Sequence, residues 1–540
     1  MKSLNFKALA LSLAVILPSA FAAEKPNIVV IFTDDQSYTA MGAMGNTEIK
    51  TPNMDQLAND GVIFDRHYNN TPICMASRAS LMTGKYEYKH GANFQHGSMT
   101  KETFSGAYPV LLKSSGYYTG FAGKFGFPVT EIVTTSTNHN SYDKLPVNEF
   151  DDWAGGLSQT EYETKKNKYL AQYAEEHPHS TQAYAAWAED FIIKAKASKK
   201  PFNMSVYFKA PHLPSKPDPA FDDVFKGITF TPAENFGKEH GEHLADQAKL
   251  GRQYISYYKK YGYFDNYNEV TRKYYQLIYG VDVALGKIRA SLEEQGVADN
   301  TVIIFTSDNG YSQGAHGLSG KTLPYEEASR APLIIFDPRN KANGKRHSAL
   351  TAGVDLTATI LALASVEAPK DIDGVSLLPL LAENSPEQVR ESVTLMQLYG
   401  SAPTHTLAVV SGDFKYIFWP YEEGKMKAQE ELYHVSNDSL EMNNLAQNPE
   451  YKKQLELMRK VYDAEVEKWQ AESLNYNNYP QYGTIFNRNV KWEDKTELFS
   501  SAAKNSYQKE LQVINGKSIG KNKDKNKNKN KKKKDKKNKS

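Results

Sequence analysis

Two stretches about 270 residues apart share one hydrophobic pattern. Asn27-Ile28-Val29-Val30-Ile31-Phe32-Thr33 is a continuous apolar, β-branched run that ends in Asp34-Asp35, and Asn300-Thr301-Val302-Ile303-Ile304-Phe305-Thr306-Ser307 runs likewise into Asp308-Asn309. Unbroken apolar runs of this length suit strands buried on both faces of a parallel sheet. Helical spacing appears in Gln182–Ala195 and in Tyr274–Gln295, where Leu277, Val281, Leu285 and Ile288 recur on one face. From about residue 386 the pattern shortens to Val393–Leu398, Thr406–Val410, Lys415–Trp419 and Glu430–His434, closed by a helix over Pro449–Ala471. The chain therefore reads as an α/β body over 23–385 and a smaller C-terminal subdomain over 386–516. Residues 220–270, rich in Tyr, Lys and acids without clear periodicity, read as an insertion over the sheet edge.

The ends change the picture most. Residues 1–22 read as a secretory signal, with Lys2 and Lys7 ahead of the apolar run Ala8–Leu17 and small residues before Ala22. No later stretch reaches the length of a membrane helix, so export to the periplasm or the medium of a bacterium is expected without a membrane span. Residues 517–540 are a Lys/Asn-rich tail expected to be disordered. The net charge of +2 hides this tail, whose last twenty residues hold 12 Lys against 2 Asp; the body is mildly acidic. Such a tail suits tethering to a polyanion, a sulfated glycan before a nucleic acid.

Candidate chemistry begins with Cys74, the only cysteine in 540 residues. A lone thiol has no disulfide partner in its own chain, so it is either a buried small hydrophobe or present for its reactivity. From Cys74 onward the residues suit a helix, placing Cys74 near its positive end and Arg78 one turn on along the same face. Ligands of open α/β sheets bind beyond the carboxyl ends of strands. Asp34, Asp35, Asp308 and Asn309 at one sheet edge would repel unless a hard cation sat among them, Ca²⁺ or Mg²⁺. Lys124 follows a short Gly-punctuated strand, and His212 sits between Pro211 and Pro214; each alone also fits an ordinary surface residue.

Cys74-Met75-Ala76-Ser77-Arg78, followed by Leu81-Met82-Thr83-Gly84, resembles the signature of the sulfatases that convert an active-site cysteine to formylglycine. Gly123-Lys124-Phe125, Pro211-His212-Leu213-Pro214, Asp308-Asn309-Gly310 and His316-Gly317-Leu318-Ser319-Gly320-Lys321 through Tyr325-Glu326-Glu327 to Arg330 follow in that family's order. The resemblance implies an alkaline-phosphatase-like sandwich: a large, mixed, mostly parallel sheet between helices, with a small antiparallel C-terminal sheet. It implies Ca²⁺ rather than Mg²⁺ on Asp34, Asp35, Asp308, Asn309 and an oxygen of the modified residue 74. The hydrated aldehyde of residue 74 would supply the nucleophile, Arg78, Lys124 and Lys321 would draw charge from the sulfuryl oxygens, and His212 would protonate the leaving alcohol. A formylglycine-generating maturase is an implied transient partner. One position departs from the family: a histidine usual two residues after the lysine is Gly126 here, which leaves the base of the sulfate-release step unassigned. The expected substrate is a sulfated carbohydrate, a polysaccharide or its oligosaccharides such as an algal galactan (carrageenan). His405 and His316, with Trp153, His96 and Arg252, are candidate substrate contacts. The rivals are a phosphodiester or phosphonate monoester hydrolase of the same superfamily and a non-catalytic secreted polyanion-binding protein.

Overall fold

The computed structural model describes residues 25–133, 141–156, 158–340, 342 and 344–516. The expected signal segment and Lys-rich tail lie outside them. Eight strands form the main sheet: β1 (Asn27–Asp34), β2 (Val62–Tyr68), β3 (Tyr118–Lys124), β4 (Asp152–Gly156), β5 (Phe202–Pro211), β6 (Thr301–Ser307), β7 (Leu333–Phe336) and β8 (Lys345–Ala352). Their order is β8-β2-β7-β6-β1-β5-β3-β4. Every pairing is parallel except those of β7, which runs antiparallel to both β2 and β6. The sheet is thus mixed and mostly parallel.

Strand β1 shows why its apolar run is unbroken. Val29 and Ile31 enter one core, with Met204, Val206, Ile303 and the helices α1 (Pro52–Asp60), α3 (Ser180–Ser198) and α4 (Tyr267–Glu294). Ile28, Val30 and Phe32 enter the opposite core, with the helices α2 (Cys74–Thr83) and α5 (Asp355–Leu363). Alternate side chains point to opposite faces, and here both faces are covered. Helix α4 starts seven residues before the patterned segment, its first turns packing through the partly buried Tyr267 and Val270.

A second, antiparallel sheet follows in simple order: β9 (Ser392–Gln397), β10 (Thr406–Ser411), β11 (Phe414–Trp419) and β12 (Gln429–His434). Helix α6 (Lys452–Glu472) packs on it through Leu455, Met458, Tyr462 and Trp469. The same core takes in Tyr68, Tyr325 and Leu350 of the larger body, so the two sheets share buried surface. Lys415 on β11 pairs with Glu326 at 2.7 Å and Glu441 at 2.8 Å, all three buried.

Candidate active site

The site is built at the carboxyl ends of β1 and β6. These strands are direct parallel neighbours, with Thr33 opposite Ser307, so the two acid-bearing ends arrive side by side. Successive strand residues normally face opposite sides. Asp35 escapes that rule with a left-handed backbone (φ 71°), tolerated in a short polar side chain, and both Asp34 and Asp35 meet Lys321. The backbone N–H of Asp35 donates to Asp308 Oδ1 (3.1 Å), and Asn309 Nδ2 donates to Asp35 Oδ1 (2.7 Å).

Cys74 is the first residue of α2 and 1 % exposed. Its Sγ lies 3.3 Å from Asp34 Oδ1 and 2.8 Å from Lys321 Nζ. Burial, with the charge of Asp34, pushes the thiol up to about 12, so residue 74 as cysteine is protonated and a weak nucleophile. Arg78 donates from Nε to Asp308 Oδ2 (2.9 Å) and lies 3.7 Å from Asp34, while its guanidinium rests over the rings of Phe32 and Tyr207. Lys124 Nζ contacts Asp34 and donates to Gln159 Oε1 at 2.6 Å. It remains the last residue of β3 rather than entering a loop. His212 follows β5 directly; its Nδ1 contacts the Leu213 carbonyl, which can only accept, so Nδ1 carries hydrogen and Nε2 is left facing Asp35 at 3.7 Å. Burial pushes this imidazole down to about 4 against the pull of Asp34 and Asp35.

The carboxylates at the end of β1 form part of a group that could hold a metal ion. Ligand atoms of Asp34, Asp35, Cys74 and His212 lie within 4.8 Å of one another. Asn309 Oδ1 is buried without a hydrogen-bond partner. Burial and the adjacent Asp34 charge push Asp308 up to about 7, whereas Asp34, despite burial, is held well below the carboxylate range by Lys124, His212, Arg78 and Lys321. A cation would satisfy the free amide oxygen and relieve the crowded carboxylates.

A cavity of about 270 Å³ opens onto Cys74, Asp35, His212 and Lys321. Of the candidate substrate contacts, Arg252 reaches it. The others are held elsewhere. His405 is buried in the C-terminal core against Tyr482 and Phe499, and His96 against Leu398 and Tyr479. His316 is fixed by Asn235 and the His240 carbonyl, and Trp153 packs among Phe121, Phe125 and Phe150.

Sequence reasoning passed over Gln159 and Lys209. Lys209 Nζ donates to the carbonyls of Gln159 (2.9 Å) and Thr160 (3.2 Å), bracing the turn whose side chain receives Lys124. A lysine directly after the mostly apolar run Met204–Phe208 was the available signal. Gly126 also gains a reason. Its φ is 96°, and a Cβ there would stand 2.7 Å from Arg78 Cδ, so a histidine at this position would displace the arginine.

The family model for sulfatases matches residues 26–366. The chain belongs to the sulfatase family. It is a sulfuric ester hydrolase, which sets aside the non-catalytic reading. A second model, for the C-terminal region of N-sulphoglucosamine sulphohydrolase, matches residues 314–468 of this sulfatase. The sulfatase is 29% identical over 515 residues to the N-acetylglucosamine-6-O-sulfatase of Bacteroides thetaiotaomicron, covering 83% of this chain and 88% of that one. A solved structure in complex with its substrate D-glucosamine-2-N,6-O-disulfate superposes with a TM-score of 0.66 at 26% identity, over 84% of this sulfatase and 99% of that chain. At 21% identity, one solved with a neocarrahexaose shares the fold, with a TM-score of 0.64 over 92% and 99% of the two chains.

Proposed function

We propose that this sulfatase is exported by its first 22 residues and removes sulfate from a sulfated carbohydrate, using formylglycine made from Cys74 and Ca²⁺ held by Asp34, Asp35, Asp308 and Asn309. The observation that carries the reading is residue 74 itself: buried at a helix start, between Asp34 and Lys321, at the floor of a cavity. A protonated thiol has little to do there. Formylglycine at residue 74 would supply a hydrated aldehyde with two hydroxyls, for attack on sulfur and for release of sulfate, and a cation held by Asp34, Asp35, Asp308 and Asn309 would supply Lewis-acid polarisation.

The remaining work falls to side chains. Lys321 on the cavity wall, and Lys124 buried behind it on Asp34, would stabilise the charge that grows on the sulfuryl oxygens. Arg78, fixed by Asp308 and the two aromatic rings, keeps a positive charge beneath residue 74 whatever the pH. His212, with its Nδ1 hydrogen committed to a carbonyl, presents Nε2 to the departing oxygen and donates there once that nitrogen is protonated, which matters most for a sugar alcohol. Tyr257, Tyr261 and Tyr399 on the cavity wall offer rings suited to the apolar face of a sugar. The 6-O-sulfated glucosamine of two relatives also supports a carbohydrate, and galactan oligosaccharides remain the second class to try. The divisions 23–385, 386–516 and 517–540 are proposed as catalytic body, C-terminal subdomain and tail.

The test uses full-length protein from a host that makes formylglycine, with mass spectrometry of the residue-74 peptide. Sulfate release is then measured on 6-O-sulfated glucosamine, carrageenan oligosaccharides and an aryl sulfate, beside a matched phosphonate monoester. An aldehyde mass and sulfate release from a saccharide are expected. An unmodified thiol with full activity, or faster phosphonate than sulfate hydrolysis, overturns the reading.

A further inference from the structure

The cavity above Cys74 has a second cationic wall that the removal of one sulfate does not require. Arg252 lies in the Tyr-rich segment between residues 220 and 270 and lines the same cavity as Cys74, His212 and Lys321. Its guanidinium is bracketed by two rings, Tyr399 at 4.6 Å and Tyr257 at 5.2 Å. Among the described residues no carboxylate forms an ion pair with it, and its Nε is buried without a hydrogen-bond partner. The acid that senses it, Glu510 on the helix Ser501–Ile514, is itself pushed up by burial and makes no such pair. This contrasts with Arg78, Lys124 and Lys321, each of which meets an aspartate. A guanidinium held between rings, short of one hydrogen-bond partner and open to a cavity is preorganised for an oxyanion.

The cavity volume limits what else fits. About 270 Å³ is slightly below the range usual for small-molecule sites, roughly 300–1,000 Å³. It therefore takes about one sugar ring, with neighbouring rings outside.

We propose that Arg252, between Tyr257 and Tyr399, is a second anion subsite, and that the substrate carries a further sulfate or carboxylate on, or next to, the ring whose sulfate is removed. The inference rests on the sulfatase reading of Cys74 and narrows it to polyanionic saccharides. Arg252 acts in binding and specificity, not on the reacting atoms.

The test compares kcat/KM for matched saccharides that share the scissile sulfate: one with no other anion, one with a second sulfate, one with a neighbouring uronate. Wild-type enzyme should prefer one of the bis-anionic substrates by about ten- to hundredfold, the range of a charge-assisted hydrogen bond. That preference should shrink as salt is raised. In Arg252→Gln the preference ratio should fall by at least about tenfold, mainly through KM, and in Arg252→Lys by less, since charge stays while the planar fork is lost. The second-sulfate and uronate arms identify which oxyanion the subsite takes. A wild-type enzyme indifferent to the second anion, or an Arg252→Gln enzyme with an undiminished ratio, overturns the proposal. Because the first measurement uses wild type alone, misfolding of a variant does not shield it. Failure of the underlying reading looks different: no sulfate leaves any saccharide.

Discussion

Two buried charge clusters lie in this protein, and they are put together differently. At the β1 and β6 ends, Asp34, Asp35 and Asp308 face Arg78, Lys124 and Lys321 beside an open cavity. Between the two sheets, Lys415 sits sealed between Glu326 and Glu441. Burial pushes Glu441 up against the pull of Lys415, while Lys415 and Arg330 hold Glu326 down. Nearby, Glu431 accepts from Trp419 Nε1 (2.8 Å), the Ala245 N–H (2.8 Å) and two tyrosine hydroxyls. The sealed cluster balances its charge and fixes how the sheets meet. The open one retains an unpartnered Asn309 oxygen and crowded carboxylates, groups left for something to bind.

Substitutions should separate the two. Cys74→Ala is expected to lower sulfate release by about 10⁴-fold or more while thermal unfolding stays near wild type, since the nucleophile goes and only a small buried group is lost. Retained activity would show that residue 74 is not the nucleophile. Asp35→Asn, or chelation of the wild-type enzyme, should cost about 10³-fold in kcat, with metal content by elemental analysis falling in parallel; equal metal content would break the assignment. Lys415→Met should do the reverse. Two buried carboxylates lose their partner, and denaturant unfolding should register a loss of about 3–5 kcal/mol, while kcat of the folded fraction stays within a few-fold. His212→Ala should cost about 10²–10³-fold on a sugar sulfate but far less on an aryl sulfate with a good leaving group. Equal losses on both would remove its role as proton donor.

The last expected effect concerns pH and lies outside both clusters. Glu87 accepts from Asn93 Nδ2 (2.8 Å) and the Tyr479 hydroxyl (3.2 Å), and burial pushes it up from 4.5 to about 8. Its folded form holds a proton that its unfolded form has lost across that window. The contribution is thus fully present below about pH 4.5 and lost as pH rises towards 8, with a slope of at most about 1.4 kcal/mol per pH unit. Glu87→Gln should flatten the fall in stability between pH 5 and 8 seen by urea unfolding. An unchanged slope would place the proton elsewhere.

How much of this the sequence carried depended on whether the information was local. Strands β1 and β6, helix α2 with its cysteine and the four C-terminal strands appear within a residue or two of their patterned bounds, because burial of one face or of both leaves a direct trace. The meeting of Asp34 with Asp308 was also legible, since two like strands ending in acids imply a shared edge. The cavity wall was legible only in part. Of that wall the sequence offers Arg252; Tyr257 and Tyr261, from the same segment of short helical turns without periodicity, are placed by contacts far along the chain. His405 and His96 looked available as polar residues, yet the C-terminal core encloses both. The collision awaiting any side chain at Gly126 concerns distance in space, and no spacing in the sequence reports it.

The adjacency of β1 and β6 also sets the order of events in the life of the chain. The two acid-bearing ends are 273 residues apart in sequence yet register against each other residue by residue, so closing that contact carries the entropy of a very long loop. A growing polypeptide that has made Asp34, Asp35, Cys74 and Lys124 still lacks the third carboxylate, Asp308, the second lysine and the neighbouring strand that aligns them. Catalytic competence therefore arrives late and all at once, when a distant segment docks; until then the reactive residue belongs to an ordinary unfinished chain.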